Sequence, residues 1–428
     1  MAAPARVGAA PGGTGGGVIP DLFVSMKGGD RPVYALVVEK RSQLITLFRY
    51  DGQYRVVETM KCSTGKARGD KKTRGDKKTP EGVYFFTKAF GAQELAPLYG
   101  TRAFPLDYPN FIDRRQGRNG YAIWMHGTNR PLKERDSNGC IALLNRDIDK
   151  LAGYIALKDT PILIAEKVTY KPVARAQSEA LAIKSFLSGW NNALARGSYH
   201  EYLAFYDSEY LPAISWWMKW MKIRRPGPQT TGFIDTKINY AGIYKHRDLY
   251  VALFDQQLSV GGLKAVVGRR KVYISFKSGH PRIVGDTFME TGAENDKRNT
   301  GNPLVLAASV LRSRHSGKEA AASLVDRWLK AWSGKDIKSY GACYSKDFKS
   351  KRMDKKMWLN YKKRLNRTYR YIKVSADNLT VSENKDTAIA TFSQTYESNV
   401  HKTKGMKTLI LKMEDGKWKI FRETFKRN

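Results

Sequence analysis

One histidine and one cysteine have the side-chain types and the spacing that thiol chemistry requires. His126 ends the run Tyr121-Ala-Ile-Trp-Met-His126, whose alternating side chains predict a strand, and Cys140 follows Ser137-Asn-Gly after a polar loop. The thiolate is the reactive form of cysteine, and a nearby imidazole can generate it by accepting the thiol proton. Gly139 allows a tight turn that leaves backbone amide groups free to face a developing oxyanion. The sequence therefore predicts a base and a nucleophile that meet where two elements end.

Neighbouring motifs make this pair more specific than two isolated residues, which more often pack as a buried cysteine and a structural histidine. His126-Gly-Thr128 followed by Ser137-Asn-Gly-Cys140 resembles the L,D-transpeptidase catalytic domain, also called the YkuD domain. Two earlier segments, Cys62-Ser-Thr-Gly65 and Thr79-Pro-Glu-Gly-Val-Tyr84, resemble further motifs of that family and stand in the family's order. The resemblance extends from about Val33 to about Lys167.

The resemblance implies a YkuD-like β-sandwich and an acyl-transfer mechanism. Cys140 would attack the bond between an L-centre and D-alanine in a tetrapeptide stem of peptidoglycan, forming a thioacyl-enzyme. His126 would act as general base and then as general acid, and the backbone carbonyl of Gly127 would orient its ring. Transfer of the acyl group to an amine would cross-link the wall. Transfer to water would make the protein an L,D-carboxypeptidase that trims tetrapeptides to tripeptides or releases wall-linked groups. Neither route requires a cofactor or a metal.

The resemblance also implies where the substrate binds. The backbone amides of Asn138, Gly139 and Cys140 would form an oxyanion hole. The other candidates for substrate binding are Ser137, Tyr84, Trp124 and Arg130. Aromatic residues on strands more often fill a core than line a cleft, so Tyr84 and Trp124 have both interpretations open.

Two positions depart from the family's usual pattern. Asn138 stands where the family usually has a second histidine, and Ala142 stands where an arginine is usual, two positions after the cysteine. That arginine is a natural partner for a substrate carboxylate. Arg130, Arg135 and Arg146 are close in sequence and could replace it, although such arginines are more often solvated surface residues. The departures favour trimming, while the family's commonest activity is transfer.

The composition favours an anionic partner. The chain has 428 residues, with 75 Lys and Arg against 40 Asp and Glu, and a formal net charge of +35. Peptidoglycan glycan with acidic stem peptides fits this charge, whereas nucleic acid is disfavoured because the cations are dispersed and no nucleic-acid-binding motif is present. The three cysteines and six histidines show no metal-ligand spacing. No apolar run is long enough to span a membrane, and a location in the periplasm or cell envelope is inferred from the family.

A repeated pattern follows the catalytic region. The pairs are Trp190 and Trp328, Leu194 and Trp332, Tyr202 and Tyr340, Tyr206 and Tyr344, Phe254 and Phe392, and Gln256 and Gln394, each separated by the same interval. A constant interval over six positions predicts two copies of one domain. Each copy begins with an amphipathic helix and ends with long strands, which resembles the α+β NTF2-like cone. Some L,D-carboxypeptidases that determine cell shape in curved bacteria join one such domain to a YkuD domain.

These patterns predict a mainly β catalytic domain followed by two α+β domains. The predicted boundaries are a disordered leader at 1–30, the catalytic domain at 31–167, NTF2-like domains at 178–290 and 319–428, and a linker at 291–318. Within this linker, Leu304 to Leu311 predict a short helix. The NTF2-like domains are assigned to substrate binding, partner binding or homodimerisation. A tandem Arg-Gly-Asp-Lys-Lys-Thr repeat at 68–79 predicts a solvated basic loop, or alternatively a flap that guides an acidic peptide toward Cys140. A non-catalytic scaffold that binds the wall or a partner is the alternative of another class.

Overall fold

The chain folds into two compact units. In this computed structural model the described residues are 17–28, 31–227, 231–289, 301–350, 352–384 and 387–427. The first unit holds residues 1–217, 236–257 and 266–303, and the second holds residues 218–235, 258–265 and 304–428. The predicted catalytic domain therefore shares a unit with most of the first predicted NTF2-like domain.

The catalytic region is built from two β-sheets. Its elements, preceded by two N-terminal strands, are β1 (Val18–Pro20), β2 (Phe23–Met26), β3 (Val33–Glu39), β4 (Leu44–Tyr50), β5 (Tyr54–Lys61), β6 (Gly82–Phe85), β7 (Phe90–Gly91), β8 (Arg102–Pro105), α1 (Phe111–Arg115), β9 (Trp124–His126), β10 (Ile141–Ala142), α2 (Asn145–Ala152) and β11 (Pro161–Ala165). The central sheet has the strand order β5-β4-β3-β11-β6, in which only β3 and β11 are parallel. The site sheet has the order β10-β9-β8-β7, in which only β9 and β10 are parallel.

A third sheet belongs to the first accessory domain. The elements of this domain are β12 (Tyr170–Pro172), α3 (Val173–Arg196), α4 (Tyr199–Leu203), α5 (Trp217–Arg224), β13 (Asp235–His246), β14 (Leu249–Val260), β15 (Leu263–Ser275) and β16 (Arg282–Phe288). The accessory sheet has the order β16-β15-β14-β13-β2. Helix α3 ends at Gly197, whose φ of 73° lies in the left-handed region that glycine adopts without steric cost.

The central sheet is buried on both faces. Strand β3 is an almost continuous apolar run, as expected for a strand that is covered on both sides. Leu36 packs into the core that the central sheet shares with the site sheet, which includes Met125. The next residue, Val37, packs into a second core with Tyr273 of the accessory sheet. Alternation along one strand thus joins the catalytic sheets to the accessory domain within the first unit.

The predicted disordered leader, residues 1–30, is wrong for residues 18–26. Strand β1 pairs antiparallel with β12, and β2 pairs antiparallel with β13, with Met26 opposite Gly242. Phe23 has no exposed surface and packs edge-on against Phe48, with ring centroids 5.1 Å apart. Burial of such apolar side chains offsets the entropy lost when the segment becomes ordered. Residues 1–16 lie outside the described residues.

The second unit contains the last NTF2-like domain. Its elements are α6 (Pro303–Ser333), α7 (Ile337–Ala342), β17 (Lys349–Ser350), β18 (Met353–Asp354), α8 (Lys355–Thr368), β19 (Ile372–Asn384), β20 (Thr387–Ser398), β21 (Lys402–Glu414) and β22 (Lys417–Arg427). Strands β19 to β22 form an antiparallel sheet in sequence order. No helix among the described residues is long and apolar enough to cross a membrane.

The predicted linker, residues 291–318, is wrong for its second half. Residues 303–318 belong to α6, which continues without interruption into the domain. Leu304, Ala308 and Leu311 are buried at helical spacing, so the apolar stripe of this helix begins well before residue 319. Residues 291–300 lie outside the described residues.

The two predicted copies contain the same buried hydrogen bond. The indole N–H of Trp190 donates to the hydroxyl of Tyr206 at 3.1 Å. In the second copy the indole N–H of Trp328 donates to the hydroxyl of Tyr344 at 2.8 Å. Residues that the sequence matched by interval alone therefore make the same interaction in both copies.

Each of these tyrosines also reaches a buried ion pair. Tyr206 donates to Asp286 at 3.0 Å, and Tyr344 donates to Glu423 at 2.9 Å. Arg270 pairs with Asp286, and Lys407 pairs with Glu423. The interval between these ion pairs is one position shorter than the interval of the six matched residues, so a search at constant spacing does not find them.

Candidate active site

Strand pairing brings the predicted base and nucleophile to the same side of the site sheet. Strands β9 and β10 are parallel, with His126 opposite Ala142. Cys140 directly precedes β10, and the alternation of the strand continued by one residue puts it on the side of Ala142 and, across the pairing, of His126. Strand β9 is shorter than predicted and begins at Trp124, because Ala122 has a φ of 56° that breaks the extended backbone.

The imidazole of His126 is oriented by the backbone that follows it. Its Nδ1 lies 2.6 Å from the carbonyl oxygen of Gly127. A carbonyl oxygen can only accept, so Nδ1 carries the proton and Nε2 is left as the base. Tyr99 packs edge-on against the ring, with centroids 5.0 Å apart. Burial lowers the pKa of His126, while the bond to Gly127 partly opposes this effect, so the ring is neutral at neutral pH.

Cys140 is the partly exposed cysteine, whereas Cys62 and Cys343 are buried. Its Sγ donates to the carbonyl oxygen of Ala122 at 3.5 Å. Burial raises the pKa of the Cys140 thiol, and the backbone of Trp124 and the charge of Lys71 act in the opposite direction. Both shifts favour the neutral forms, a thiol at Cys140 and an imidazole at His126.

The turn before Cys140 is held by the hydroxyl of Ser137. This hydroxyl donates to the carbonyl oxygen of Cys140 at 2.6 Å and accepts from the N–H of Gly139 at 3.1 Å. The predicted oxyanion hole of three amides is therefore wrong for Gly139, whose N–H is already used. Within the described residues, the N–H groups of Asn138 and Cys140 have no acceptor, so these two are the donors available to an oxyanion.

Gly139 occupies a position that requires glycine. Its φ is 128°, and a Cβ at this position would lie 2.8 Å from the carbonyl oxygen of Lys78. The backbone of residue 139 can therefore approach residue 78 only without a side chain. The sequence predicts a tight turn at this glycine. In the structure, this turn also brings the Ser137–Cys140 motif into close contact with the segment before Thr79.

The earlier motifs form one wall of the site. Thr79 Oγ1 accepts from the N–H of Gly65 at 2.8 Å and donates to the carbonyl oxygen of Gly139 at 3.0 Å. Isolated bridges pair Gly65 with Ser137 and Ser63 with Ala142. The three motifs that carried the resemblance therefore meet around the residues that precede Cys140.

A buried lysine supports this wall from behind. Lys40 Nζ donates to the carbonyl oxygens of Gly69 at 2.6 Å and Thr79 at 3.0 Å, and to the carboxylate of Glu81 at 2.9 Å. Burial alone would raise the pKa of Glu81, but hydrogen bonds from His246 and Lys40 and the charges of Lys40 and Arg247 outweigh it and lower that pKa to about 2. The ionised Glu81 thus fixes the segment that carries Thr79.

The tandem repeat is folded back on itself, and the predicted solvated loop is wrong for Lys71. Lys71 is 3% exposed, and its Nζ lies 2.7 Å from Asp76 of the second repeat. Burial opposes ionisation of Asp76, but hydrogen bonds from Lys71 and from three backbone amides lower its pKa to about 2. Lys72 is exposed, as predicted for a solvated loop. The first repeat therefore supplies a buried cation near Cys140, and the second supplies the carboxylate that holds it.

A Lys71→Gln variant is expected to react more slowly at Cys140, because the cation that stabilises the thiolate is lost. We expect alkylation by iodoacetamide to slow by about 3- to 10-fold near neutral pH, with the midpoint of its pH dependence moved upward. Mass spectrometry of the Cys140 peptide measures this rate. Lys72→Gln, which removes an exposed charge from the adjacent residue, is the matched control. An unchanged midpoint in Lys71→Gln would show that the lysine acts only on loop structure.

Of the two aromatic candidates, Tyr84 has a role other than the predicted substrate contact. Tyr84 has no exposed surface, and its hydroxyl donates to the carbonyl oxygen of Glu81 at 3.2 Å, so it packs beneath the motif and does not reach the substrate. Trp124 is half-buried between Phe90 and Tyr99, with centroid distances of 5.6 Å and 5.0 Å. Trp124 therefore remains a candidate for the edge of the groove.

The nearby arginines differ in their availability to a substrate. Arg135 is engaged within the domain, since its Nη2 donates to the carbonyl oxygen of Lys40 at 2.7 Å. Arg146 is exposed and faces Asp147 at 3.5 Å. Arg130 is exposed on the loop after β9. Of the three arginines considered from the sequence, Arg130 is the cation best placed to meet an incoming carboxylate.

Sequence reasoning missed Tyr99 and Lys71. Tyr99 ends a 3-10 turn, Pro97–Tyr99, and no spacing rule links it to His126. Lys71 could not be distinguished from Lys77 in the sequence, because identical hexapeptides predict identical environments, whereas only Lys71 is buried.

Among the described residues, no group of His, Cys, Asp and Glu side chains could hold a metal ion.

The β-rich domain carries His126 at the end of β9 and Cys140 directly before β10. Residues 33–164 match the sequence profile of YkuD, the L,D-transpeptidase catalytic domain. Residues 320–424 match that of the Cds6 C-terminal NTF2-like domain. The chain therefore contains a catalytic domain of the peptidoglycan-modifying L,D-transpeptidase family and a C-terminal NTF2-like domain. The predicted resemblance and the predicted fold class are confirmed.

Solved structures similar to this chain share low sequence identity with it. Bd1075 of Bdellovibrio bacteriovorus is 21% identical, covers 96% of this chain and 99% of its own, and has a TM-score of 0.33. The helical cell shape determining protein Pgp2 of Campylobacter jejuni is 19% identical, covers 94% of this chain and 96% of its own, and has a TM-score of 0.31. TM-scores this low support no argument about the reaction. No curated protein matches the chain significantly.

The lowered pKa of His126 predicts the acidic limb of the activity profile. The base must be unprotonated to accept the thiol proton, so kcat/KM should fall only below the ordinary histidine value of about 6.5. Initial rates with a tetrapeptide substrate between pH 5 and 9 measure this limb. An acidic limb above that value would contradict the lowered pKa of His126, because the ring would then hold its proton more tightly than an ordinary histidine.

Proposed function

We propose that this protein is a peptidoglycan-modifying cysteine acyltransferase of the L,D-transpeptidase type. The observation that carries the proposal is the parallel pairing of β9 with β10, in which His126 lies opposite Ala142, two residues after Cys140. The bond from Nδ1 to Gly127 leaves Nε2 of His126 as the base. The catalytic-domain match supports the substrate class, and this geometry supports the roles.

The chemistry follows from these positions. Cys140 Sγ attacks the carbonyl carbon between the L-centre and D-alanine of a tetrapeptide stem, and His126 Nε2 takes the thiol proton. The N–H groups of Asn138 and Cys140 hold the oxyanion. The C–N bond then breaks, His126 gives its proton to the departing D-alanine, and a thioester remains. An amine of a second stem attacks the thioester, which forms a new amide and restores the thiol.

A second candidate is L,D-carboxypeptidase activity, in which water attacks the thioester. The observation that favours it is Ala142, which lies on the same side as Cys140 and is 8% exposed. The family's usual arginine at this position would supply a cation for a substrate carboxylate, and the alanine supplies none. Arg130 is then the remaining candidate for that contact.

The products separate the two reactions. The protein is incubated with purified tetrapeptide muropeptides, and the products are identified by mass spectrometry. Joined dimers with released D-alanine indicate transfer, and tripeptide monomers with released D-alanine indicate hydrolysis. Cys140→Ala should lower either rate by about 1000-fold or more, because no thioester can form. Cys343→Ala, at a buried cysteine of the second unit, is the matched control and should retain activity.

Turnover at the normal rate in Cys140→Ala would overturn the proposal. A non-catalytic scaffold instead predicts that no product forms with either protein while binding to isolated sacculi persists. The proposed place of action is the cell envelope, in the periplasm, where the stem peptides are accessible. Homodimerisation through the NTF2-like domains remains a proposal that sedimentation analysis can test.

A further inference from the structure

A second cleft lies in the first unit, away from the catalytic pair. It has a volume of about 530 Å³, which is large enough for a ligand of dipeptide size or larger. Its walls come from segments 81–84 and 110–118 of the catalytic region and from segments 207–209, 246–251 and 273–284 of the accessory domain. Neither His126 nor Cys140 lines it, so the cleft does not include the proposed catalytic pair.

The cleft has an apolar floor. The aliphatic residues that line it are Val83, Ile112, Leu249, Val251 and Val284. Tyr273, which is 1% exposed, adds an aromatic ring to the same lining. An aliphatic side chain of a ligand would lose its contact with water on this surface, which favours binding.

The buried charges in the wall of the cleft already have partners. Glu81 is bound by Lys40 at 2.9 Å and by Arg247 at 2.9 Å. Asp113 accepts from the N–H of Asn110 at 3.0 Å. These carboxylates therefore give the wall a fixed shape and are not available to an ammonium group of a ligand.

The rim of the cleft carries charges of both signs that do not neutralise each other. Lys277 and Asp248 are exposed lining residues. Across the described part of the chain, neither the Lys277 ammonium nor the Asp248 carboxylate has an ion-pair or side-chain hydrogen-bond partner. Glu209, also exposed on the rim, has no partner for its carboxylate in the same described residues. These rim groups of opposite charge do not form ion pairs with each other. They are therefore available to a ligand that carries both a positive and a negative charge.

Arg247 adds a cation that is held in an unusual backbone conformation. It lies at the tip of the β13–β14 hairpin with a φ of 54°, where most side chains are disfavoured. Its Nη2 donates to Glu81, while its side chain remains 64% exposed. A guanidinium has five N–H donors, so this arginine can bind Glu81 and a ligand carboxylate together.

We propose that this cleft binds a short zwitterionic peptide or amino acid. Lys277 and Arg247 bind its carboxylate, Asp248 and Glu209 bind its ammonium group, and its aliphatic side chain lies on the apolar floor. A dianion would be repelled by the two rim carboxylates, and an uncharged apolar ligand would leave the rim charges desolvated without partners. The proposal does not depend on turnover at Cys140.

Calorimetric titration of the full chain carrying Cys140→Ala tests the proposal without catalysis. The probes are alanyl-alanine in its L,L and D,D forms, N-acetyl-alanyl-alanine, which lacks the ammonium group, and alanyl-alaninamide, which lacks the carboxylate. We expect a free dipeptide to bind, and each blocked analogue to bind about tenfold more weakly or worse, because one charge-assisted contact is lost. Lys277→Ala and Asp248→Asn should each weaken binding of the free dipeptide by about tenfold.

Lys237→Ala, at an exposed lysine of the same sheet that does not line the cleft, is the matched control and should bind normally. Lys277 and Asp248 are exposed, so their substitution should leave the fold intact, and unchanged thermal unfolding checks this. The proposal is overturned if neither dipeptide binds, if the blocked analogues bind as well as the free dipeptide, or if both cleft variants bind normally. Normal binding by both cleft variants would mean that the dipeptide binds elsewhere, for example near Cys140.

Discussion

A Gly139→Ala variant is expected to lose at least about 100-fold in kcat/KM on tetrapeptide muropeptides. The added Cβ would lie 2.8 Å from the carbonyl oxygen of Lys78, so the turn that presents Cys140 must move. The φ of 128° is also outside the range that alanine adopts readily. A displacement of about 1 Å in a reacting group is enough to cause a loss of this size. Initial rates and the alkylation rate of Cys140 measure the effect.

A matched glycine separates backbone strain from steric displacement. Gly52 has a φ of 100° in the turn between β4 and β5, and a Cβ there would meet no atom within 4 Å. Gly52→Ala should therefore lose only the roughly 1–2 kcal/mol of an alanine in a disfavoured conformation and retain activity. If Gly139→Ala kept activity within a few-fold of the parent protein, the close contact with Lys78 would not determine the position of Cys140.

A Lys40→Met variant is expected to lose about 3–5 kcal/mol of unfolding free energy. Lys40 is 1% exposed and donates to two carbonyl oxygens and to the carboxylate of Glu81. Its removal leaves a buried carboxylate with less compensation, and it leaves the carbonyl oxygen of Thr79 without this donor. Denaturant unfolding monitored by tryptophan fluorescence measures the loss. Lys61→Met, at an exposed lysine on β5 of the same sheet, should cost less than about 0.5 kcal/mol.

The same variant should change the pH dependence of stability. The pKa of Glu81 is about 2 in the folded protein against an ordinary value of 4.5, so the folded state binds fewer protons than the unfolded state between these values. This contribution is complete above pH 4.5 and is lost as the pH falls through 2. Without Lys40 the folded pKa of Glu81 rises, so the difference in stability between parent and variant should shrink over this window. A constant difference would show that Lys40 does not act through Glu81.

The elements around the site were predictable where a local pattern determines them. The alternation before His126 predicted a strand, and the glycine before Cys140 predicted a tight turn that returns the chain to it. The constant interval between Trp190 and Trp328 predicted two copies, and both tryptophans donate to the matching tyrosine. The strand and the turn are determined by residues that are close in sequence. The two copies are recognised from a matching set of residues elsewhere in the chain.

The parts that were not predictable depend on contacts between distant segments. Lys71 and Lys77 stand in equivalent positions of the repeat, but Lys71 is buried against Asp76 while Lys77 is exposed. Only the surrounding fold distinguishes them. The occupied N–H of Gly139 depends on the rotamer of Ser137, which no sequence pattern specifies. Residues 291–318 were assigned to a linker because they are rich in Asn, Gly, Lys and Arg, with only a short helix at 304–311, but the helix begins at Pro303 and continues to Ser333.

Strand β2 has a consequence for how the chain is synthesised. Met26 emerges from the ribosome roughly 200 residues before its partner Gly242, so the accessory sheet cannot close until most of the first unit has been translated. Phe23 can pack on Phe48 early, but the backbone edge of β2 that pairs with β13 stays unpaired throughout that interval. Premature release of a nascent chain that lacks β13 would leave this apolar segment without a partner and prone to aggregation.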